Sequence, residues 1–194
     1  MSHMERDHID LNFEDLDVLE RQLQAGEHLD DLQVLVDYRY PHYEILHRYQ
    51  LAYDPVAKQR WAACLFKLIE LKAPTDYSNF SAALMLLCMD WEQPELTRSL
   101  AQRYLETGYI AADRPLPGVL SDPEEYLRYT TGMLPLAAAI NYRNLHGVQF
   151  LLDNGASLDV GPVVEGGPRL QALECARECG ATDIEALLLR LTDR

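Results

Sequence analysis

The chain has 194 residues, 48% of them apolar and 25% charged, with 31 acidic against 17 basic side chains and a formal charge of −14. That is enough apolar material to bury a core in one domain or two small ones, and it excludes wholesale disorder. No run of about 18 apolar residues occurs, so no membrane span is expected, and the acidity speaks against nucleic acid and anionic membrane, both polyanions, as direct ligands.

The chain opens on Met1-Ser2-His3-Met4. Met1 to His3 read as a remnant of an expression vector, Met4 is the expected native start, and no secretion signal follows. A first helix is predicted from about Phe13 to Ala25, with Leu16, Leu19 and Leu23 at helical spacing. It lies within the most acidic stretch. Residues 1–37 hold eleven acids (Glu5, Asp7, Asp10, Glu14, Asp15, Asp17, Glu20, Glu27, Asp30, Asp31, Asp37) against Arg6 and Arg21. Such a patch suits a basic partner, which it would steer into contact, or serves solubility alone.

Residues 38–53 contain five of the eleven tyrosines: Tyr38, Tyr40, Tyr43, Tyr49 and Tyr53. Tyrosine covers a broad contact area at low entropy cost, so Tyr38, Tyr40 and Tyr43 are candidate contact residues. The alternative is a helix with hydroxyls at the rim of a core. His42 and His47, five apart, do not share a helical face and are expected at the surface or in an interface. Leu65, Leu68 and Ile69, then Leu96, Leu100 and Tyr104, mark two further helices. Gly and Pro punctuate between them, and alternating runs of strand length are nearly absent. Between 109 and 131 lies a long connection in which Asp122-Pro123 reads as a helix start, with Tyr126 and Tyr129 as candidate contacts. Gly161 to Pro168 is glycine-rich, but no predicted strand precedes it, so it reads as a connecting loop.

The four cysteines, Cys64, Cys88, Cys175 and Cys179, make no CxxC pair. Cys175 and Cys179 fall one helical turn apart. With no histidine beyond His146 to complete a metal site, they read as small apolar residues kept reduced. No phosphate loop, HExxH, GxSxG or dinucleotide fingerprint is present. No catalytic, cofactor or metal residue is therefore assigned, and the chain is not expected to be an enzyme.

Residues 132–160 carry an organised pattern, Gly-Met-Leu-Pro-Leu-Ala-Ala-Ala, a turn, then Leu-Leu-Asp-Asn-Gly-Ala-Ser-Leu-Asp. Gly132, Pro135, Leu136, Ala139, Val148, Leu151, Leu152, Gly155, Ala156 and Asp159 stand where the ankyrin repeat has its characteristic residues, and this segment resembles that family. Leu134 replaces the usual Thr, Ala137 the usual His, and Arg143 the usual turn glycine. Shifted by 37 residues, Leu173, Ala176, Gly180, Asp183, Ile184, Leu187 and Leu188 match again. In the first half only the ending of the second helix resembles the family, around Gly26, Lys72 (where glycine is usual) and Gly108. The equivalent glycine positions are 26, 72, 108, 155 and about 192, against a family period near 33.

The resemblance implies an all-α, ankyrin-like solenoid of about five degenerate helix-turn-helix repeats with long insertions, at approximately 10–31, 37–77, 80–112, 130–160 and 168–194, in one repeat domain. Small Ala139 and Ala176 are expected where paired helices cross, Leu151, Leu152, Leu187 and Leu188 where neighbouring repeats stack, and Gly26, Gly108 and Gly155 in left-handed helix ends. The family binds proteins through the first helices and loop tips. By that resemblance Asn141, Tyr142, Met89, Asp90 and Trp91 are expected at the exposed ends of first helices, with Glu178 and Cys179 in the last repeat; for Trp91 the equal alternative is packing under the long turn before Pro94. Small stand-alone arrays include immunity proteins that occlude a toxin. The expected function is thus a protein-interaction module, specifically a stoichiometric inhibitor of a basic toxin or effector, cytoplasmic and monomeric when unbound. A generic adaptor or assembly scaffold, or a ligand-binding or enzymatic protein using the insertions, is the alternative.

Overall fold

The computed structural model describes residues 11–25, 41–71, 86–108, 110, 112, 134–162 and 169–192. The chain divides into two compact units, residues 1–76 and 77–194. The described part is mostly helical, and no helix in it is long and apolar enough to cross a membrane.

In the first unit, α1 (Leu16–Ala25), α2 (Pro41–Leu51) and α3 (Pro55–Glu70) form the described core. α1 starts at Leu16, the first leucine of its pattern and three residues later than the start predicted near Phe13. The Asn12 carboxamide oxygen accepts from the backbone N–H of Glu14 and Asp15 and turns the chain first. The Asp15 carboxylate then caps the helix by accepting from the N–H of Asp17 and Val18. Asp54 does the same for α3, accepting from Ala57 N–H at 2.7 Å, with Pro55 in the first helical position, where no N–H is needed. α3 packs on both α1 and α2. Leu19 and Leu23 from α1, Ile45, Leu46 and Tyr49 from α2, and Leu65 and Leu68 from α3 are fully enclosed. Lys58 is buried with its ammonium 5.4 Å from the centre of the Tyr49 ring, a cation–π contact. His42 is fully buried on α2 within the unit itself, against the surface or interface position expected for it. Its helix presents that face to the core.

In the second unit, residues 86–88 are helical and lead through a turn into α4 (Pro94–Glu106). Then come α5 (Pro135–Asn141), α6 (Leu145–Asp153), the strands β1 (Asp159–Pro162) and β2 (Arg169–Gln171), α7 (Ala172–Glu178) and α8 (Thr182–Thr192). β1 and β2 pair antiparallel, Asp159 facing Gln171 and Pro162 facing Arg169, with an irregularity between Asp159 and Gly161. The connection expected to be plain loop is therefore flanked by a short ladder. Its strands have four and three residues, too few for alternation to show in the sequence.

α5 packs on α6 and α7 on α8, and between the pairs α5 packs on α7 and α6 on α8. The two pairs repeat one another at a shift of 37 residues. Tyr142 N–H donates to Ala138, Arg143 N–H to Ile140, Asn144 N–H to Ala139 and Val148 N–H to Asn144. In the second pair Cys179 N–H donates to Cys175, Gly180 N–H to Arg177, Ala181 N–H to Ala176 and Glu185 N–H to Ala181. Arg143 (φ 56°) and Gly180 (φ 63°) hold the equivalent left-handed position in each turn. Ala139 and Ala176 are both fully buried, as a close helix crossing requires. Gly108 (φ 79°) follows α4, and Gly155 (φ 84°) follows α6, in the expected left-handed conformation. Space around both is open, so it is the dihedral angle that favours glycine there. Gly26 and Lys72 lie outside the described residues. Of the four leucines assigned to the stacking stripe, Leu151 and Leu188 are buried, whereas Leu152 and Leu187 are only half-buried. Fully enclosed Phe150 and Ile184 take up the rest of the inward face.

Candidate functional site

Three turns in the second unit lie at 89–93, 142–144 and 179–181, each leading into a helix, and named side chains tie them into a ridge. The Arg143 guanidinium donates from Nη2 to the Cys179 carbonyl at 2.7 Å, taking up a carbonyl at the end of α7 that no residue within the helix would satisfy. Beside it the Cys179 thiol contacts Asn141 Oδ1 at 3.5 Å. On the other side, Asn144 is nearly buried and makes two bonds. Its Oδ1 accepts from Gly147 N–H and caps α6, and its Nδ2 donates to the Leu87 carbonyl at 2.8 Å. The His146 ring stacks on Trp91, centroids 6.2 Å apart. Arg98 on α4 pairs with Asp153 on α6 at 2.8 Å and lies over the Phe150 ring.

Of the residues predicted for a contact face, Asn141 and Asp90 are exposed and Tyr142 is half-buried at the end of α5. Glu178 is exposed and Cys179 half-buried on the neighbouring turn. The ridge therefore brings Asn141, Tyr142, Glu178 and Cys179 together. Met89 and Trp91 are different: both are buried, Met89 contrary to the exposure expected of it and Trp91 in the packed one of its two alternatives. Trp91 is drawn inward because its ring tilts against Phe150, centroids 5.9 Å apart, and its indole N–H donates to the Leu86 carbonyl. It packs beneath the turn before Pro94. Tyr43 is half-buried on α2 in the first unit, 6.1 Å from the His47 ring. Tyr38, Tyr40, Tyr126 and Tyr129 lie outside the described residues. Sequence reasoning missed Arg143 and His146, since nothing local shows that either reaches a neighbouring turn.

The described acids of the N-terminal stretch are less available than their charge suggests. All four of its described acids have structural roles: Asp15 caps α1, Glu14 pairs with Arg48, and Asp17 and Glu20 share Arg60. Arg48 also pairs with Glu44 on its own helix. The hydrogen bond to Glu14 raises the pKa of Arg48, and bonds to Glu20 and Asp17 raise that of Arg60. Among the described residues of this unit, the large exposed apolar side chains are Leu51, Tyr53 and Val56, at and beside the link between α2 and α3, with Tyr53 92% exposed.

Burial pushes the Cys64 and Cys175 thiols up to about 12 and Cys88 also upward, so these three are protonated at neutral pH. Among the described residues no group of three or more His, Cys, Asp or Glu is arranged to hold a metal ion. No family model, no curated protein and no solved structure matches the chain.

Proposed function

We propose that this protein is a protein-binding module, that its helix pairs are degenerate ankyrin-like repeats, and that it acts by occluding a partner. The 37-residue register carries this reading. Two successive helix pairs share four backbone hydrogen bonds and a left-handed turn residue, and each pair depends on its neighbour to bury its apolar side. Stacking of this kind presents a row of turns whose side chains are free to differ, and here that row carries Asp90, Asn141, Tyr142 and Glu178. Tyr142 is the aromatic anchor of the set, and the acidic members favour a basic counter-surface.

The specific form is a stoichiometric inhibitor, of the immunity type, with a basic toxin or effector as its target. The net charge of −14 supports a basic partner. The neutralising role of Arg48 and Arg60 moves the weight of that argument from α1 to the turn ridge. Affinity capture with the protein as bait, followed by calorimetry against the captured partner, tests the reading. One partner at one-to-one stoichiometry is expected, binding at nanomolar Kd or tighter and weakening as salt rises. A broad set of weak, salt-insensitive partners favours an adaptor instead.

A further inference from the structure

The ridge contains a chemical feature that protein binding does not use. Cys175 and Cys179 occupy one face at the end of α7, one helical turn apart, with the Cys179 backbone N–H donating to the Cys175 carbonyl at 3.0 Å. Cys175 is buried, whereas Cys179, at the helix C-cap, is half-buried and also contacts Asn141 Oδ1. Both are free thiols.

Geometry decides what such a pair can hold. Residues four apart on a helix keep their Cβ atoms about 5–6 Å apart. A disulfide needs about 3.5–4.5 Å, so direct oxidation would require the last turn of α7 to deform. One bridging atom between the sulfurs supplies the missing reach. A zinc ion demands three or four protein ligands, and no group of three or more His, Cys, Asp or Glu stands together among the described residues. A trivalent organoarsenical keeps its organic group and asks for only two sulfurs.

We propose that Cys175 and Cys179 form a two-thiol site for a thiophilic trivalent arsenic centre. With an arsenoxide, R–As=O, two As–S bonds form. The two thiol protons leave with the arsenic-bound oxygen as one water, and nothing is oxidised or reduced. The reaction begins at half-exposed Cys179 and closes onto Cys175. It removes the thiol proton that Cys179 offers to Asn141, so occupancy perturbs the turn ridge itself.

The test is intact-protein mass spectrometry of the folded full chain with one equivalent of phenylarsine oxide. One adduct, equal in mass to the reagent less water, is expected. It should survive excess monothiol, be removed by a dithiol, and persist in a variant carrying both Cys64→Ser and Cys88→Ser. It should be lost in Cys179→Ser and in Cys175→Ser, with circular dichroism showing that each variant is folded. Cys179→Ser, at the half-exposed cap, decides the matter if Cys175→Ser does not fold. No adduct in the wild type, removal by monothiol, or an adduct retained in Cys179→Ser overturns the site. None of these outcomes depends on whether the chain binds a protein.

Discussion

Arg143 and Cys179 are 36 residues apart in the chain, yet the Arg143 guanidinium donates to the Cys179 carbonyl at 2.7 Å. The arginine reaches that carbonyl from a backbone position of φ 56°, where the equivalent turn uses Gly180. A left-handed conformation costs a non-glycine residue about 1 kcal/mol, and the bond across to the next turn returns a similar amount. Arg143→Ala keeps the backbone cost and loses the bond, and is expected to lower stability by about 1 kcal/mol. Arg143→Gly loses the bond but relieves the backbone. Urea unfolding should therefore rank wild type and Arg143→Gly close together, with Arg143→Ala below both.

Gly147 lies in the first turn of α6, where alanine would ordinarily improve a helix by about 1 kcal/mol. Here a Cβ would stand 2.6 Å from Asn144 Nδ2. That side chain cannot swing away cheaply, because its two ends cap α6 and hold the Leu87 carbonyl. Gly147→Ala is expected to destabilise by about 1–2 kcal/mol, since a lost cap and a lost buried hydrogen bond outweigh the propensity gain. Asn144→Ala should cost at least as much, and thermal unfolding of both variants checks the pair.

Trp91 and Tyr142 separate folding from binding. Removing the buried indole from its packing on Phe150, and leaving the Leu86 carbonyl without its donor, should cost about 3–5 kcal/mol in Trp91→Ala. Any loss of partner binding in that variant follows from unfolding. Tyr142→Ala should unfold within about 1 kcal/mol of wild type, yet weaken a partner on the ridge by more than about 1 kcal/mol. Parallel melting and calorimetry distinguish the two.

Asp153 supplies a pH-dependent contact between α4 and α6. Its partial burial alone would raise its pKa, but hydrogen bonds from Arg98 and Gln149 outweigh that and hold it below the usual carboxylate value. The folded value lies below the unfolded one. The stabilisation is therefore complete above the ordinary value of about 4 and disappears as pH falls through the depressed one. The stability difference between wild type and Asp153→Asn should be constant near neutrality and shrink only in that acidic window, as followed by urea unfolding at successive pH values.

The second unit was the more readable part of the sequence. Gly108, Gly155 and Gly180 mark left-handed positions that any reader of glycine spacing can place, and Ala139 with Ala176 shows where helices cross. What the sequence withheld is non-local. The acids of α1 look like an open patch until Arg48 and Arg60, more than 30 residues on, are seen to fold back on them. Trp91 and Met89 occupy positions suited to contact and are buried instead, because helical spacing does not say what lies across from a turn. Asp54-Pro55 is a cap signature that could have placed the start of α3, and only its proline was read, as punctuation.

The most direct test compares capture of a partner by the wild type with capture by a variant that combines Asn141→Ala, Tyr142→Ala and Glu178→Ala. Circular dichroism and melting should first show that the variant's fold is intact. A single one-to-one partner retained by the wild type and lost by the variant is the predicted result; equal capture of that partner by both proteins would contradict a binding surface on the turn ridge.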